Sequence, residues 1–158
     1  MTLHFEQSRH TPVYSKASAD EIGRVVRYLV DPASSRIAAV HVGGRRRKAL
    51  LADWSHVVGF GPDAVVIDSE DSLRHPEGDH EQQVVGGDLD LFGRRVLTDS
   101  GHEIGELTDV SFDESAGTIE EIHTSHSVVR GEGLLAIGRY AVIVRRDAVS
   151  PLDEAASG

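Results

Sequence analysis

Nine histidines give this sequence its most obvious capacity for metal chemistry. Imidazole and carboxylate groups both bind divalent ions, and they are densest within residues 75–81. A weak metal site is one interpretation of this segment, and a solvated acidic surface is the other. The closest histidine pair, His123 and His126, is three residues apart, so on a strand the two rings would point to opposite faces. The side chains of the dense segment are His75, Glu77, Asp79, His80 and Glu81.

Three other patterns contain residue types of catalytic or cofactor sites but lack the required context. The segments 59–64 and 131–136 both fit the G-x-G-x-x-A template of dinucleotide-binding loops. That chemistry needs a helix N-terminus after the glycines, whereas both segments lead into β-rich runs. Asp53, Ser55 and His56 are neighbours in sequence and cannot form the geometry of a catalytic triad. We therefore predict that the protein is not an enzyme and has no cofactor and no resident metal.

The elements that would position any site are short β-strands in an internal repeat. An Ile-Gly pair and a later Asp recur 82 positions further along, and a Gly-x-x-Ala-Val block recurs at an offset of 77. The alternation of apolar residues breaks after each Ile-Gly pair, which predicts a β-bulge or bend near that glycine. Each Asp opens a segment of turn-forming residues. The predicted structural turn and bulge positions are Gly23 and Gly105, Asp31 and Asp113, and Gly61 and Gly138.

These repeated residues resemble the PRC-barrel family, the small β-barrel of the photosynthetic reaction centre H subunit and of the ribosome maturation factor RimM. The resemblance rests on Val13 and Val96, on the Ile-Gly and Asp positions, and on the Gly-x-x-Ala-Val blocks at 61–65 and 138–142. It implies an all-β fold of two tandem small PRC-type β-barrels, packed together and containing short helical turns. The family also implies a non-enzymatic module that binds protein partners.

The repeat divides the chain into two units joined by a polar segment. We expect a first PRC-like barrel at 11–72, a linker at 73–88 and a second barrel at 89–151, with residues 1–10 as a loose terminus. A unit of this size buries only about 60% of its unfolded surface. We therefore expect the two units to share a core.

Charge is distributed unequally between the two halves. Residues 1–75 contain ten Lys/Arg and nine Asp/Glu, whereas residues 76–158 contain six and seventeen. The acidic second half repels phosphate backbones, so nucleic-acid binding is disfavoured. The sequence also lacks cysteine, a signal-peptide pattern and any apolar run of the roughly 18–20 residues that a membrane span needs. We expect a cytoplasmic protein with no membrane span.

Two hypotheses for function follow. The first is a non-catalytic protein-interaction or scaffold module, for which a homodimer is one candidate arrangement. The alternative is a ribosome or RNP assembly factor that contacts ribosomal particles through the basic tip Arg45–Lys48, which could equally be a solvated hairpin tip. Trp54 is expected to anchor a core or an interface. The candidate partner-binding residues are Arg45, Arg46, Arg47, Lys48, Trp54, Leu89 and Phe92.

Overall fold

Two β-sheets make up most of the protein. The computed structural model describes residues 2–44 and 50–151, and 51% of it is strand against 17% helix. The expectation of a mostly β fold is therefore confirmed. The basic tip Arg45–Lys48 lies outside the described residues, so its role stays a prediction. None of the helices in the described ranges has the length and apolar character that a membrane crossing requires.

The strands are short and rich in β-branched residues, which suit a pleated, half-buried surface. Fourteen strands, two α-helices and four 3₁₀ turns are present in the described residues. The N-terminal half contains β1 (Thr2–His4), α1 (Phe5–Ser8), β2 (Pro12–Ser15), β3 (Glu21–Asp31), β4 (Arg36–Gly43), β5 (Leu50–Asp53), β6 (Val57–Phe60) and β7 (Val65–Ile67). The remainder contains α2 (Gly78–Val85), β8 (Arg95–Thr98), β9 (Glu103–Asp113), β10 (Ile119–Thr124), β11 (Ser127–Arg130), β12 (Leu134–Ile137), β13 (Val142–Val144) and β14 (Val149–Pro151). The 3₁₀ turns span Trp54–His56, Glu70–Ser72, Gly131–Gly133 and Arg146–Ala148.

The two sheets have the same strand order. The first runs β5-β4-β3-β2-β7-β6, and the second contains β11-β10-β9-β8-β13-β12 in the corresponding places. The β2–β7 and β8–β13 pairs are both parallel, whereas their neighbours are antiparallel. The second sheet adds β14 beside β11, and β1 pairs with β9. Among the described strands, the outermost strands of each sheet do not pair with each other, so neither sheet forms a hydrogen-bonded closed barrel.

A shift of register lies beside each glycine of the two Ile-Gly pairs. Opposite β2, the register of β3 skips one residue between Glu21 and Gly23. Opposite β8, the register of β9 skips from Glu103 to Glu106. Gly105 has a φ of 113°, a conformation that side chains with a Cβ rarely adopt, and a Cβ there would collide with the Ser125 hydroxyl. The local geometry therefore favours glycine.

The two repeated aspartates hold equivalent hairpin turns. Asp31 accepts hydrogen bonds from the Ala33 amide at 3.1 Å and the Ser34 hydroxyl at 2.9 Å. Asp113 accepts from the Ser115 hydroxyl at 2.9 Å and the Ala116 amide at 3.2 Å. The hydrogen bond from Ser115 lowers the pKa of Asp113 below its usual value. Both carboxylates therefore act as turn caps.

Residues 2–8 form a strand and a helix of the fold, so the expectation that residues 1–10 are a loose terminus is wrong for this described part. Strand β1 pairs antiparallel with β9, from Thr2 opposite Asp113 to His4 opposite Ser111. Phe5, the next residue, is fully buried. The segment is too short to show a period in the sequence, and the partner that orders it lies more than 100 residues away.

Four aromatic rings from both halves of the chain form the centre of the core. Phe5 stacks on Tyr28 with ring centroids 3.9 Å apart, and Phe112 lies 5.5 Å from Phe5 and 5.2 Å from Phe60. Tyr28 and Phe60 lie in the first sheet, whereas Phe112 lies in the second. The main hydrophobic cluster likewise contains residues of both sheets. The two halves are therefore joined through a common core.

The segment expected to be a linker contains helix α2. Val84 on this helix is buried with Leu29, Leu51 and Leu89 in a second, smaller cluster on the other face of the first sheet. Arg74, at the start of the segment, links β5 to α2. Its guanidinium donates to Asp53 of β5 at 3.0 Å and to Glu81 of α2 at 2.7 and 2.9 Å. Residues 73–88 are thus fixed to the first sheet by packing and charge.

Candidate functional site

A groove of about 280 Å³ opens where three parts of the chain meet. One wall comes from the end of the N-terminal segment, with Phe5 and Arg9. The floor comes from β3, and the opposite wall comes from residues 84–92. Because these parts are distant in sequence, the groove depends on both halves of the chain.

Apolar side chains form most of the groove surface. Phe5 and the stacked Tyr28 ring form its deep end, and Leu89 is buried at 8% exposure. Val26 on the floor is 37% exposed, and Phe92 on the wall formed by residues 84–92 is half-buried. Burial raises the pKa of Tyr28 above its ordinary value, so its hydroxyl stays neutral at physiological pH. The surface suits apolar or aromatic groups.

An ion pair fixes one wall of the groove to its floor. The Arg27 Nε donates to Asp90 Oδ1 at 2.6 Å, and Arg27 also donates to the Val85 carbonyl at 3.3 Å. Gly87, with a φ of 89°, lies so close that a Cβ there would be 3.0 Å from the Arg27 guanidinium. This glycine therefore allows the guanidinium to reach Asp90.

The mouth of the groove carries a second arginine. The Arg9 guanidinium lies 4.1 Å from the centroid of the Phe92 ring, which is a cation–π contact. Its charge partner, Glu6, is 3.6 Å away, and both side chains are strongly exposed. Exposed pairs of this kind contribute little, so Arg9 remains available for an acidic group of a ligand.

His41 lies behind Arg27 on the same sheet face and is 5% exposed. Burial, and then the charge of Arg27, lowers the pKa of His41 to about 4. Its Nδ1 has no hydrogen-bond partner among the described atoms. The ring is therefore neutral at physiological pH and forms part of the support beneath the ion pair.

The predicted partner-binding residues occupy different environments. Phe92 lines the groove and is accessible, whereas Leu89 lines it as a largely buried side chain. Trp54 is half-buried, stacks on Phe60 at 6.0 Å and covers Gly117 from the second half of the chain. Trp54 thus packs where the first and second halves of the chain meet.

The remaining predicted positions are two turns, at Gly61 and Gly138, and a bulge within β3, at Gly23. The Gly61 amide donates to the Ala64 carbonyl at 3.0 Å, and the Gly138 amide donates to the Ala141 carbonyl at 2.9 Å. Gly23 has a φ of 155°, and a Cβ there would be 2.5 Å from the carbonyl oxygen of Gly43. None of these three glycines lines the groove.

In the histidine-rich segment 75–81, Glu81 is paired with an arginine and does not face a metal-binding cluster. Glu81 is bound to Arg74, which lowers the pKa of Glu81 to about 2. Within the described ranges, no three His, Cys, Asp or Glu side chains are grouped so that they could hold a metal ion.

Of the residues that line the groove, sequence reasoning named only Leu89 and Phe92 as candidates for binding. Phe5 and Arg9 come from a segment without a motif, whereas Val26 and Arg27 lie within the repeated strand segment, whose motif marks bends and turns and not a binding surface. Only the candidate partner-binding residues Leu89 and Phe92 indicated this region. The signal that could have identified Phe5 is the apolar pair Leu3 and Phe5, two residues apart as on one face of a strand.

Comparison with known protein families gives a match to the second half of the chain. Residues 88–149 match the PRC-barrel domain. This range includes β8 to β13, the strands whose order is repeated in the first sheet. No curated protein matched the sequence.

Proposed function

We propose, starting from the PRC-barrel match at 88–149, that this chain is a non-catalytic protein-interaction module made of two tandem PRC-type units. The identical strand order of the two sheets supports the tandem arrangement. The amino-acid composition supports a cytoplasmic location. The groove between the halves is the surface at which a partner protein would bind.

The observation that carries this proposal is the combination of accessible apolar walls with a cation at the groove mouth. Val26 on the floor is exposed, Phe92 on one wall is half-buried, and Arg9 lies over Phe92. A peptide segment with a large apolar side chain beside a carboxylate matches both features. The volume of about 280 Å³ is enough for one or two such side chains.

Co-purification under native conditions tests the proposal. The variant Val26→Glu places a charge on the apolar floor of the groove, and Val58→Glu makes the same change at an exposed valine outside the groove. We expect the wild type and Val58→Glu to retain the same partner proteins and Val26→Glu to lose them. Retention of an unchanged set by Val26→Glu would contradict the groove assignment.

The alternative role in ribosome or RNP assembly depends on Arg45–Lys48, which lie outside the described residues. Sedimentation of a native lysate at low and moderate salt separates the two hypotheses. Migration with ribosomal particles that is lost when the four residues are replaced by Ser would favour the assembly role. Migration away from ribosomal particles favours the interaction module.

A further inference from the structure

We propose that β12 (Leu134–Ile137) is a self-association edge, which pairs antiparallel with β12 of a second copy of this chain. Among the described strands, β12 pairs only with β13, so the main-chain groups along its other edge face no strand. The inference does not depend on the groove, which lies elsewhere in the fold.

The chain covers its other comparable edges. Strand β11 is covered by β14, which pairs with it over three residues. Strand β5 is bridged by Arg74, whose amide and carbonyl exchange hydrogen bonds with Leu51 at 2.9 and 2.8 Å. In the described ranges, the sheet ends without such cover are β6, β12 and β14, and β14 is a three-residue strand that ends in a proline, Pro151. Proteins usually protect edges of this kind, because uncovered edges pair with other chains.

Strand β12 is short and its register against β13 shifts at Leu135, but it lacks the charges and prolines that protect many edges. Its sequence, Leu-Leu-Ala-Ile, contains no charge and no proline. Leu135 is 44% exposed, Ala136 is exposed, and Tyr140 in the following turn is 86% exposed. Apolar side chains at an unpaired edge favour addition of another strand.

The flanking charges identify a second copy as the occupant. Glu132 precedes β12 and Arg139 follows it, and both are exposed. Antiparallel pairing places the start of one strand beside the end of the other, so Glu132 of each copy lies near Arg139 of the other. The twofold symmetry makes this contact twice. Glu132 now accepts a 3.0 Å hydrogen bond from Arg130, but that pair is more than half exposed and therefore weak.

The equivalent strand of the first sheet is a poorer candidate. Strand β6 exposes Val58 at 53% but contains Gly59, which weakens a strand. Its surroundings carry the exposed carboxylates of Asp63 and Asp68. Two copies of this edge would bring like charges together. Val58 therefore provides a matched control for Leu135, since the two residues are equivalent in the repeat.

A four-residue strand buries less surface than the roughly 800 Å² per partner of a standard interface. We therefore expect a weak dimer whose population rises with protein concentration. Sedimentation equilibrium over a wide concentration range measures the dissociation constant. Leu135→Lys is expected to weaken dimerisation at least about tenfold, because it places a charge at the centre of the pairing. Val58→Lys is expected to leave the constant unchanged.

Charge exchange makes the test specific. Glu132→Arg and Arg139→Glu should each weaken the dimer, because each places like charges at positions 132 and 139 of the two copies. The double variant should restore the dimer, because Arg at 132 then faces Glu at 139 of the other copy. A wild type that stays monomeric at all concentrations would overturn the proposal. So would a dimer that Leu135→Lys leaves intact, or one that Val58→Lys or the groove variant Val26→Glu abolishes. Circular dichroism establishes whether each variant is folded. We expect all of them to fold, because the substituted residues are exposed.

Discussion

Ile37 and Ile119 make the same hydrogen bond in opposite directions across the two halves of the chain. The Ile37 amide donates to the Gly117 carbonyl at 2.8 Å, and the Ile119 amide donates to the Ser35 carbonyl at 2.8 Å. Each residue is 82 positions from its counterpart, and Ser35 and Gly117 both have a positive φ, of 52° and 72°. The two halves therefore meet through equivalent hairpin turns, as two subunits do around a twofold axis.

Gly117→Ala should destabilise this junction. The added Cβ would lie 2.8 Å from Trp54 Cε2, and the backbone has a φ of 72°. We expect the free energy of unfolding to fall by about 2–4 kcal/mol, from backbone strain and displacement of the indole ring. Chemical denaturation measures the change.

Gly101→Ala is the matched control for that variant. Gly101 has a φ of 87°, but a Cβ there would meet no atom within 4 Å. Its cost should be the backbone strain alone, about 1–2 kcal/mol. Equal losses of unfolding free energy in the two variants would show that the Cβ at position 117 does not displace the Trp54 ring.

Phe5→Ala should be among the most damaging single changes in the N-terminal segment. Phe5 is fully buried between Tyr28 and Phe112, and truncation of a buried Phe costs about 3–5 kcal/mol. Gln7→Ala, at an exposed position of the same helix, should change stability by less than about 0.5 kcal/mol. Thermal and urea unfolding of both variants would check this, and a stable Phe5→Ala protein would contradict the packing.

His41 should make stability depend on pH between about 6.5 and 4. In this window the unfolded chain binds a proton at His41 and the folded chain does not, because the folded pKa is lowered to about 4. Stability should therefore decrease as pH falls, by about 1.4 kcal/mol for each pH unit below 6.5. The dependence should end near pH 4.

His41→Leu should remove that component of the pH dependence. The side chain lies beside Leu51 on the neighbouring strand, so leucine suits the site. His102→Gln, at an exposed histidine, should keep the wild-type dependence. Urea denaturation at pH 7 and pH 4.5 compares the three proteins. Identical pH profiles for wild type and His41→Leu would refute the assignment.

Arg74→Lys should loosen α2 from the first sheet. Lysine keeps the charge but cannot bind Asp53 and Glu81 with the forked geometry of the guanidinium. Because the network is partly exposed, we expect a loss of about 1 kcal/mol and faster amide exchange in α2. Arg95→Lys, which alters the exposed pair with Glu103, is the control and should have little effect on either measurement.

The same network predicts behaviour in acid. Arg74 lowers the pKa of Glu81 to about 2, so the contribution of Glu81 is complete above the ordinary Glu value and is lost as the pH falls towards 2. Glu81→Gln should therefore be less stable than wild type at neutral pH, and the difference should narrow in strong acid. A constant difference across this range would argue against the ion pair.

The sequence indicated those parts of the fold that repeat or that depend on local chemistry. The spacing of Asp31 and Asp113 placed two equivalent turns, because an Asp caps a turn through neighbouring residues. The break in alternation at Gly23 and Gly105 lies where the strand register shifts.

The contacts between residues distant in the chain could not be predicted from any pattern in the sequence. The groove joins Arg27 to Asp90 and places Arg9 over Phe92, and each pair is separated by more than 60 residues. No local rule connects such residues, since a surface arginine has many potential partners. The burial of Phe5 was missed for the same reason, because Phe112 and Tyr28 order it from elsewhere in the chain.

The pairing of β1 with β9 has a consequence for synthesis on the ribosome. Thr2 lies opposite Asp113, so β1 must wait while about 110 further residues are made. At the usual elongation rate of about 5–20 residues per second, this takes roughly 5–20 seconds. During that time Phe5 has no Phe112 to pack against, and the first sheet lacks its central aromatic contact. Residues near the start of the chain are therefore among the last to reach their native positions, and a nascent-chain chaperone would find them exposed.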